Sequence, residues 1–263
     1  MFFPQGVGVY DNKQQQVEAL RQKRKVFVEQ KNPEPLTNPA RQILFTSNVL
    51  LTIPHENTDT ESLDYSDDLK KGIRKAMHEP QQYWYDHPIQ IGVKPQANEI
   101  IYGLSQLDKS LEKERERGNL AHEKVRCLLS VSVTHRGLLD LAKDYIQQEL
   151  ENHANLKNLE VWIFTEDETR RLLEEVFLPV DKGSFESDRS NELAQIFGVD
   201  GEYGRHYSFL KAIAAVWNVL IDNEVKATFK IDLDQVFPQK ELIVETGQSA
   251  LEHFKTSLWG AKG

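Results

Sequence analysis

The chain of 263 residues is long enough to bury a sizeable core, and its 32 basic against 41 acidic residues leave a formal charge of -9. That balance argues against a general electrostatic grip on nucleic acid or an anionic membrane, while leaving room for local basic sites. A single cysteine, Cys127, excludes an internal disulfide framework and a cysteine-based zinc cage, which fits a reducing, cytoplasmic setting. No apolar stretch approaches the roughly 20 residues that cross a bilayer, and the opening MFFPQGVGVYDNK lacks a basic leader followed by an apolar run. The sequence reads as soluble and unexported.

The first 119 residues carry mixed signals. Gln14 to Gln30 is helix-like and highly polar, KNPEPLTNPA is a proline-punctuated connection, and ILFTSNVLLTI (Ile43 to Ile53) is strand-like. An acidic, turn-rich piece then leads to a short helical pattern, LKKGIRKAM. The aromatic cluster YWYDHPIQIGV (Tyr83 to Val93) reads as packing more than as a binding lip, and SLEKERERGN as a solvated helix end.

From Lys124 the pattern becomes regular. VRCLLSVSV has the β-branched and apolar content of a buried strand. GLLDLAKDYIQQELEN repeats apolar side chains at Leu138, Leu141, Ala142, Tyr145, Ile146 and Leu150, the spacing of a helix with one buried face. LEVWIFTED predicts a second strand and ETRRLLEEVFLPV a second helix, followed by a polar loop, DKGSFESDRS. GRHYSFLKAIAAVWNVLID predicts a third helix and VKATFKIDLDQVF a third strand. This alternation predicts an α/β domain over 120–263, a mostly parallel sheet with helices on both faces, preceded by an N-terminal extension over 1–119. Ligands of such sheets gather at the carboxyl ends of the strands.

Two carboxylates interrupt the last strand. In FKIDLDQVFP, alternation sends Phe229, Ile231 and Leu233 to one side and Lys230, Asp232 and Asp234 to the other. A regular strand separates the two aspartate Cα atoms by about 7 Å. Two like charges cannot be buried together without a cation, and a hard divalent ion such as Mg²⁺ or Mn²⁺, completed by phosphate oxygens and water, meets that need. The plainer alternative has them facing solvent, paired with Lys230 or Arg205.

With that motif, the segment from Lys124 onward resembles the nucleotide-sugar-binding half of a GT-A-type glycosyltransferase, the nucleotide-diphospho-sugar transferase fold. IDLDQVF stands where that family carries its D-x-D, and GEYGRHYSFLKAIAAVW resembles the helix before it. The resemblance implies that Asp232 and Asp234 hold a divalent cation bridging the donor's diphosphate, with Arg205 near the phosphates. Thr134, His135 and Arg136 in VSVTHRG, and Asp167 in FTED, match by position the segments that line the base and ribose. His135 and Arg136 would add positive charge at the phosphates.

The implied partners are a nucleotide-sugar donor and an unknown acceptor. The family's opening, a strand followed by a proline- and asparagine-containing turn, is replaced after VRCLLSVSV by Thr134, His135 and Arg136. Only 29 residues follow Asp234, so the reading is of a domain shortened at its C-terminus. Trp259 and Gly260 are nominated to flank a sugar, and Glu245, Glu252 and His253 as a base. IDLDQV also satisfies the D-x-D-x-V string of haloacid dehalogenase-type phosphatases, with Asp232 as nucleophile and Asp234 as general acid. That motif opens its own domain, whereas here the α/β units precede it. A non-enzymatic α/β binding module is the third reading.

Overall fold

The computed structural model describes residues 13–23, 29–82, 84, 87–177, 179, 217 and 221–258. Five strands form one sheet: β1 (Ile43–Thr52), β2 (Ile89–Gln90), β3 (Val125–Val133), β4 (Leu159–Phe164) and β5 (Ala227–Lys230). Every described pairing is parallel. The helices are α1 (Lys13–Lys23), α2 (Pro39–Gln42), α3 (Asp67–Ala76), α4 (Glu99–Glu116), α5 (Ala142–His153), α6 (Glu166–Leu172), α7 (Gln239–Thr246) and α8 (Ala250–Phe254). No helix of the described residues is long and apolar enough to cross a membrane.

The sheet runs β4, β3, β1, and on the far side of β1 it continues with β5 and β2. β5 pairs with Ile43 to Thr46 of β1, whereas β2 pairs only with Leu51 and Thr52. From β1 the chain first adds β2 on that far side, then crosses to β3 and β4 on the other side, and finally returns with β5 to the side of β1 that β2 occupies. That reversal is a topological switch point, where the crevice beyond the strand ends is open to ligands.

The expected division at residue 119 falls between α4 and β3, and strand pairing crosses it. ILFTSNVLLTI supplies the central strand, joined along Phe45 to Leu51 with β3 and along Ile43 to Thr46 with β5. The physical reason lies in the strand itself: Ile43, Leu44 and Leu51 are fully buried, as a parallel strand covered on both faces requires. The 1–119 segment is thus interleaved with the sheet rather than appended to it.

Alternation along β1 and β3 sorts the two faces. Odd-numbered residues such as Phe45, Val49, Cys127, Leu129 and Val131 enter the main core. They pack there with Ile73 of α3, Leu104 of α4, Ile146 of α5 and Phe254 of α8. Leu44 and Leu128 face the other way and join Trp217 and Val225 in a second cluster. Trp217, from the segment joining β4 to β5, also meets Trp162 edge-on at 5.2 Å between ring centroids. Burial pushes the Cys127 thiol up to about 12, which leaves it an unreactive core residue.

The charged run after Ser110 forms the end of α4, with one exception to the solvated reading. Glu114 is 1% exposed and holds the C-terminal segment on the helix. One carboxylate oxygen accepts from Gln239 Nε2 and, at 3.0 Å, from the Leu251 amide. The other accepts from Ser249 Oγ at 2.6 Å and Asn119 Nδ2 at 2.8 Å. Beside it, Arg117 and Glu252 pair at 2.7 Å, and Arg117 pulls the Glu252 carboxyl down to about 2. The Glu114 carboxylate satisfies four donors, and its removal strands them all. Glu114→Ala is expected to lower unfolding free energy by about 3 kcal/mol in urea titration, with the C-terminal segment losing amide-exchange protection first.

Candidate functional site

The aspartate motif sits at the switch point. β5 ends at Lys230, earlier than the expected strand over 225–237, and Asp232 and Asp234 lie in the turn that follows. The alternation nevertheless persists: Ile231 and Leu233 pack into the main core, while Lys230, Asp232 and Asp234 are exposed. The turn is pinned to β1, because the Ile231 amide donates to Thr46 O at 2.9 Å and Ser47 Oγ donates to Ile231 O at 3.0 Å. It is pinned to α4 as well. A Cβ on Gly103 would meet the Leu233 Cα and carbonyl oxygen at 2.5 Å, so only glycine lets the helix approach this closely.

Between the last β5 pairing at Thr46 and the first β2 pairing at Leu51, residues 47–50 of β1 have no register partner on this side. The carbonyls of Thr46 and Thr52 both accept hydrogen bonds from this side. Alternation of a parallel ladder therefore aims the main-chain groups of Asn48 into the gap. A cleft of about 260 Å³ opens there, lined by Ser47 to Leu50, His87, Ile89, Glu99 and the turn from Asp232 to Gln235. A recess of about 230 Å³ adjoins it, lined among others by Thr52, Gln90, Val93 and Ala97, and shares His87, Ile89 and Glu99 with the cleft.

Three carboxylates face this groove. Asp232 forms an ion pair with Lys230, as the plainer reading of the motif anticipated. Asp234 and Glu99 form no ion pair among the described residues. Glu99 opens α4, whose cap Asn98 is fully buried. The Asn98 side chain accepts from the Ile100 amide at 3.0 Å and donates to Glu149 at 2.8 Å, and Glu149 also accepts from Tyr65 at 2.5 Å. This buried lattice fixes the wall of the groove at residue 99.

The donor chemistry suits a hard divalent cation. Asp232 and Asp234 offer oxygen ligands from one turn into one cleft. No group of three or more His, Cys, Asp or Glu converges among the described residues, so at most two carboxylates of this turn would hold an ion. The remaining coordination would fall to water or to oxygen atoms of a bound molecule.

Among the described residues, the other anticipated ones do not gather around the aspartates. Thr134 and His135 are buried, with Thr134 Oγ1 bonded to Thr52 Oγ1 at 2.7 Å and to His135 Nδ1 at 2.8 Å. Thr134 thus supports the recess from behind, through Thr52, instead of lining the cleft. Arg136 is exposed at the start of a single 3-10 turn, and Asp167 pairs with Arg170 at 3.0 Å in the first turn of α6. Glu252 is occupied by Arg117, His253 bonds to Thr246, and Glu245 is exposed. Arg205, Trp259 and Gly260 lie outside the described residues. Of the aromatic cluster, Ile89 and Ile91 are buried but Trp84 is 75% exposed, which corrects the packing expectation at that position.

Ser47, Asn48, His87 and Glu99 were not singled out from sequence. One signal was present: Ser47 and Asn48 are the polar break inside an apolar strand, at the place where pairing on one side stops. Comparisons with family models, with curated proteins and with solved structures return no match.

Burial disfavours the charged His135 imidazolium and lowers its pKa from the ordinary 6.5, against a smaller opposing pull from Glu79. The unfolded chain then takes up the proton first as pH falls. The contribution to stability is complete above about 6.5 and is lost as pH drops toward the folded value. Urea titrations across that window are expected to show stability falling with acidification, with a shallower slope in His135→Gln.

Proposed function

We propose that the groove at the β1/β5 switch point binds a nucleoside diphosphate-activated sugar together with a divalent cation, and that the protein is a glycosyltransferase of GT-A type. The observation that carries the reading is the placement of Asp232 and Asp234 together in the cleft beside the central strand. The strand order β4, β3, β1, β5 supports it, because a crevice at such a reversal is a common nucleotide site. The turn that the family carries after its first strand also has a counterpart once β1 is taken as that strand. Ile53 and Pro54 lead into a turn closed by the Thr58 amide on His55 O at 2.8 Å, with Asn57 inside it.

In this reading the chain's own groups do three things. Asp232 and Asp234 supply oxygen ligands where the donor's diphosphate lies. Gly103 and Ser47 hold the aspartate turn against α4 and β1. Asn48 presents main-chain donor and acceptor groups to the bound donor. A bound Mg²⁺ or Mn²⁺ would supply charge neutralisation of the departing diphosphate.

Calorimetric titration with Mn²⁺ and uridine or guanosine diphosphate tests the proposal. Each is expected to strengthen binding of the other by at least tenfold, and Asp234→Ala to abolish the linkage. A phosphoenzyme trapped on Asp232 with beryllium fluoride would instead support phosphatase chemistry, and no linked binding of either kind would leave a binding module.

A further inference from the structure

We infer that the recess beside the aspartate cleft is the acceptor subsite, that it takes a sugar-like polyol hydroxyl, and that Glu99 accepts the proton of that hydroxyl. This rests on the donor reading of the cleft. The two hollows are parts of one groove, because His87, Ile89 and Glu99 line both. Together they offer about 490 Å³, within the ~300–1,000 Å³ typical of ligand sites and enough for two components held side by side.

Their linings differ in a way that assigns the roles. The cleft holds both aspartates and the open edge of β1, whereas the recess combines Ile89, Val93 and Ala97 with Thr52, Gln90 and His87. A lining in which apolar side chains alternate with polar ones, the buried Thr52 among them, suits a sugar ring, whose faces carry C–H groups and whose periphery carries hydroxyls. The recess has fixed walls, since Thr52 is bonded to Thr134 and residue 99 follows the buried cap Asn98.

Transfer to a hydroxyl needs a group to take its proton, and that group must reach both components. Glu99 is the carboxylate that borders both hollows, and it has no ion pair among the described residues. Asp232, by contrast, borders only the cleft and is engaged by Lys230. In the step, the acceptor O–H proton passes to the Glu99 carboxylate as the acceptor oxygen bonds to the anomeric carbon. The bond from that carbon to the diphosphate oxygen breaks, and its electron pair leaves on the diphosphate.

The test uses the full chain with Mn²⁺ and a panel of UDP-glucose, UDP-N-acetylglucosamine and GDP-mannose, reading nucleoside diphosphate release with water or methyl hexosides as acceptor. Glu99→Gln is expected to keep Mn²⁺-linked UDP or GDP affinity within about twofold of wild type, because it leaves the aspartates and Asn98 intact. It should lower release by about 10²-fold or more and remove its dependence on a basic group in the pH profile. Ala97→Phe, which fills the recess, should likewise preserve diphosphate binding and abolish stimulation by methyl hexosides. Wild-type release rates in Glu99→Gln, or linked binding in the wild type with no release from any donor, overturns the acceptor assignment alone. Absence of Mn²⁺-linked diphosphate binding in the wild type overturns the donor reading and this inference with it.

Discussion

The groove exists because β1 is longer than the strands available to pair with one of its sides. β3 accompanies it from Phe45 to Leu51, but on the other side β5 stops at Thr46 and β2 begins at Leu51. A parallel strand without a neighbour exposes main-chain donors and acceptors that must find water or a ligand. The chain fills the interval partly with its own aspartate turn, through Ser47 and Ile231, and leaves the remainder open. Geometry at the sheet and chemistry at the carboxylates thus arise from the same mismatch in strand length.

Holding negative charge in that opening requires a stiff frame, because carboxylates that can move apart relieve their repulsion without any cation. Here the frame is α4. Its Gly103 accepts the aspartate turn at backbone contact, and its first turn presents Glu99 from a buried hydrogen-bonded cap. Its last turn carries Glu114, which anchors the C-terminal segment. One helix therefore sets the spacing between the aspartate turn, the opposing carboxylate and the segment that packs beneath β5. Lys230 offsets one charge of the three, so the groove retains an excess of negative potential that favours cations and opposes an anionic ligand arriving alone.

How much of this was legible in the sequence depends on which physical signal each element carries. The apolar runs of β3 and β4 and the helical spacing of α5 survive in the structure nearly as drawn. Local periodicity reports burial directly, so these elements needed no knowledge of their neighbours. β1 was equally visible as a strand, yet its place in the sheet was not, because pairing with β3 and β5 spans about 80 and 184 residues of chain and leaves no local trace. A boundary drawn at residue 119 therefore separates β1 from two of the strands it pairs with. The aspartate pair was singled out on the premise that both carboxylates would be buried, whereas Asp232 and Asp234 are exposed and Lys230 pairs with Asp232. His87 and Glu99 were missed because they reach the groove from elements far away in sequence. Thr134 and His135 were chosen as strand-end residues, a rule that places backbone correctly and says nothing of whether a side chain turns inward.

The same contrast bears on the polar residues buried in the core. Glu149 and Glu114 sit in helices whose other faces are charged, and periodicity alone would put both in solvent. Each is instead held by several donors from distant segments, Tyr65 and Asn98 in one case and Gln239, Ser249 and the Leu251 amide in the other. Such carboxylates add little net stability relative to an apolar core, but an error in docking either helix would leave a charge buried without donors, at a cost of several kcal/mol. They therefore act against misplacement of α4 and α5 more than for the compact state itself. Since α4 sets the distance across the groove, the arrangement of Asp232, Asp234 and Glu99 is fixed by two buried acids that touch none of them.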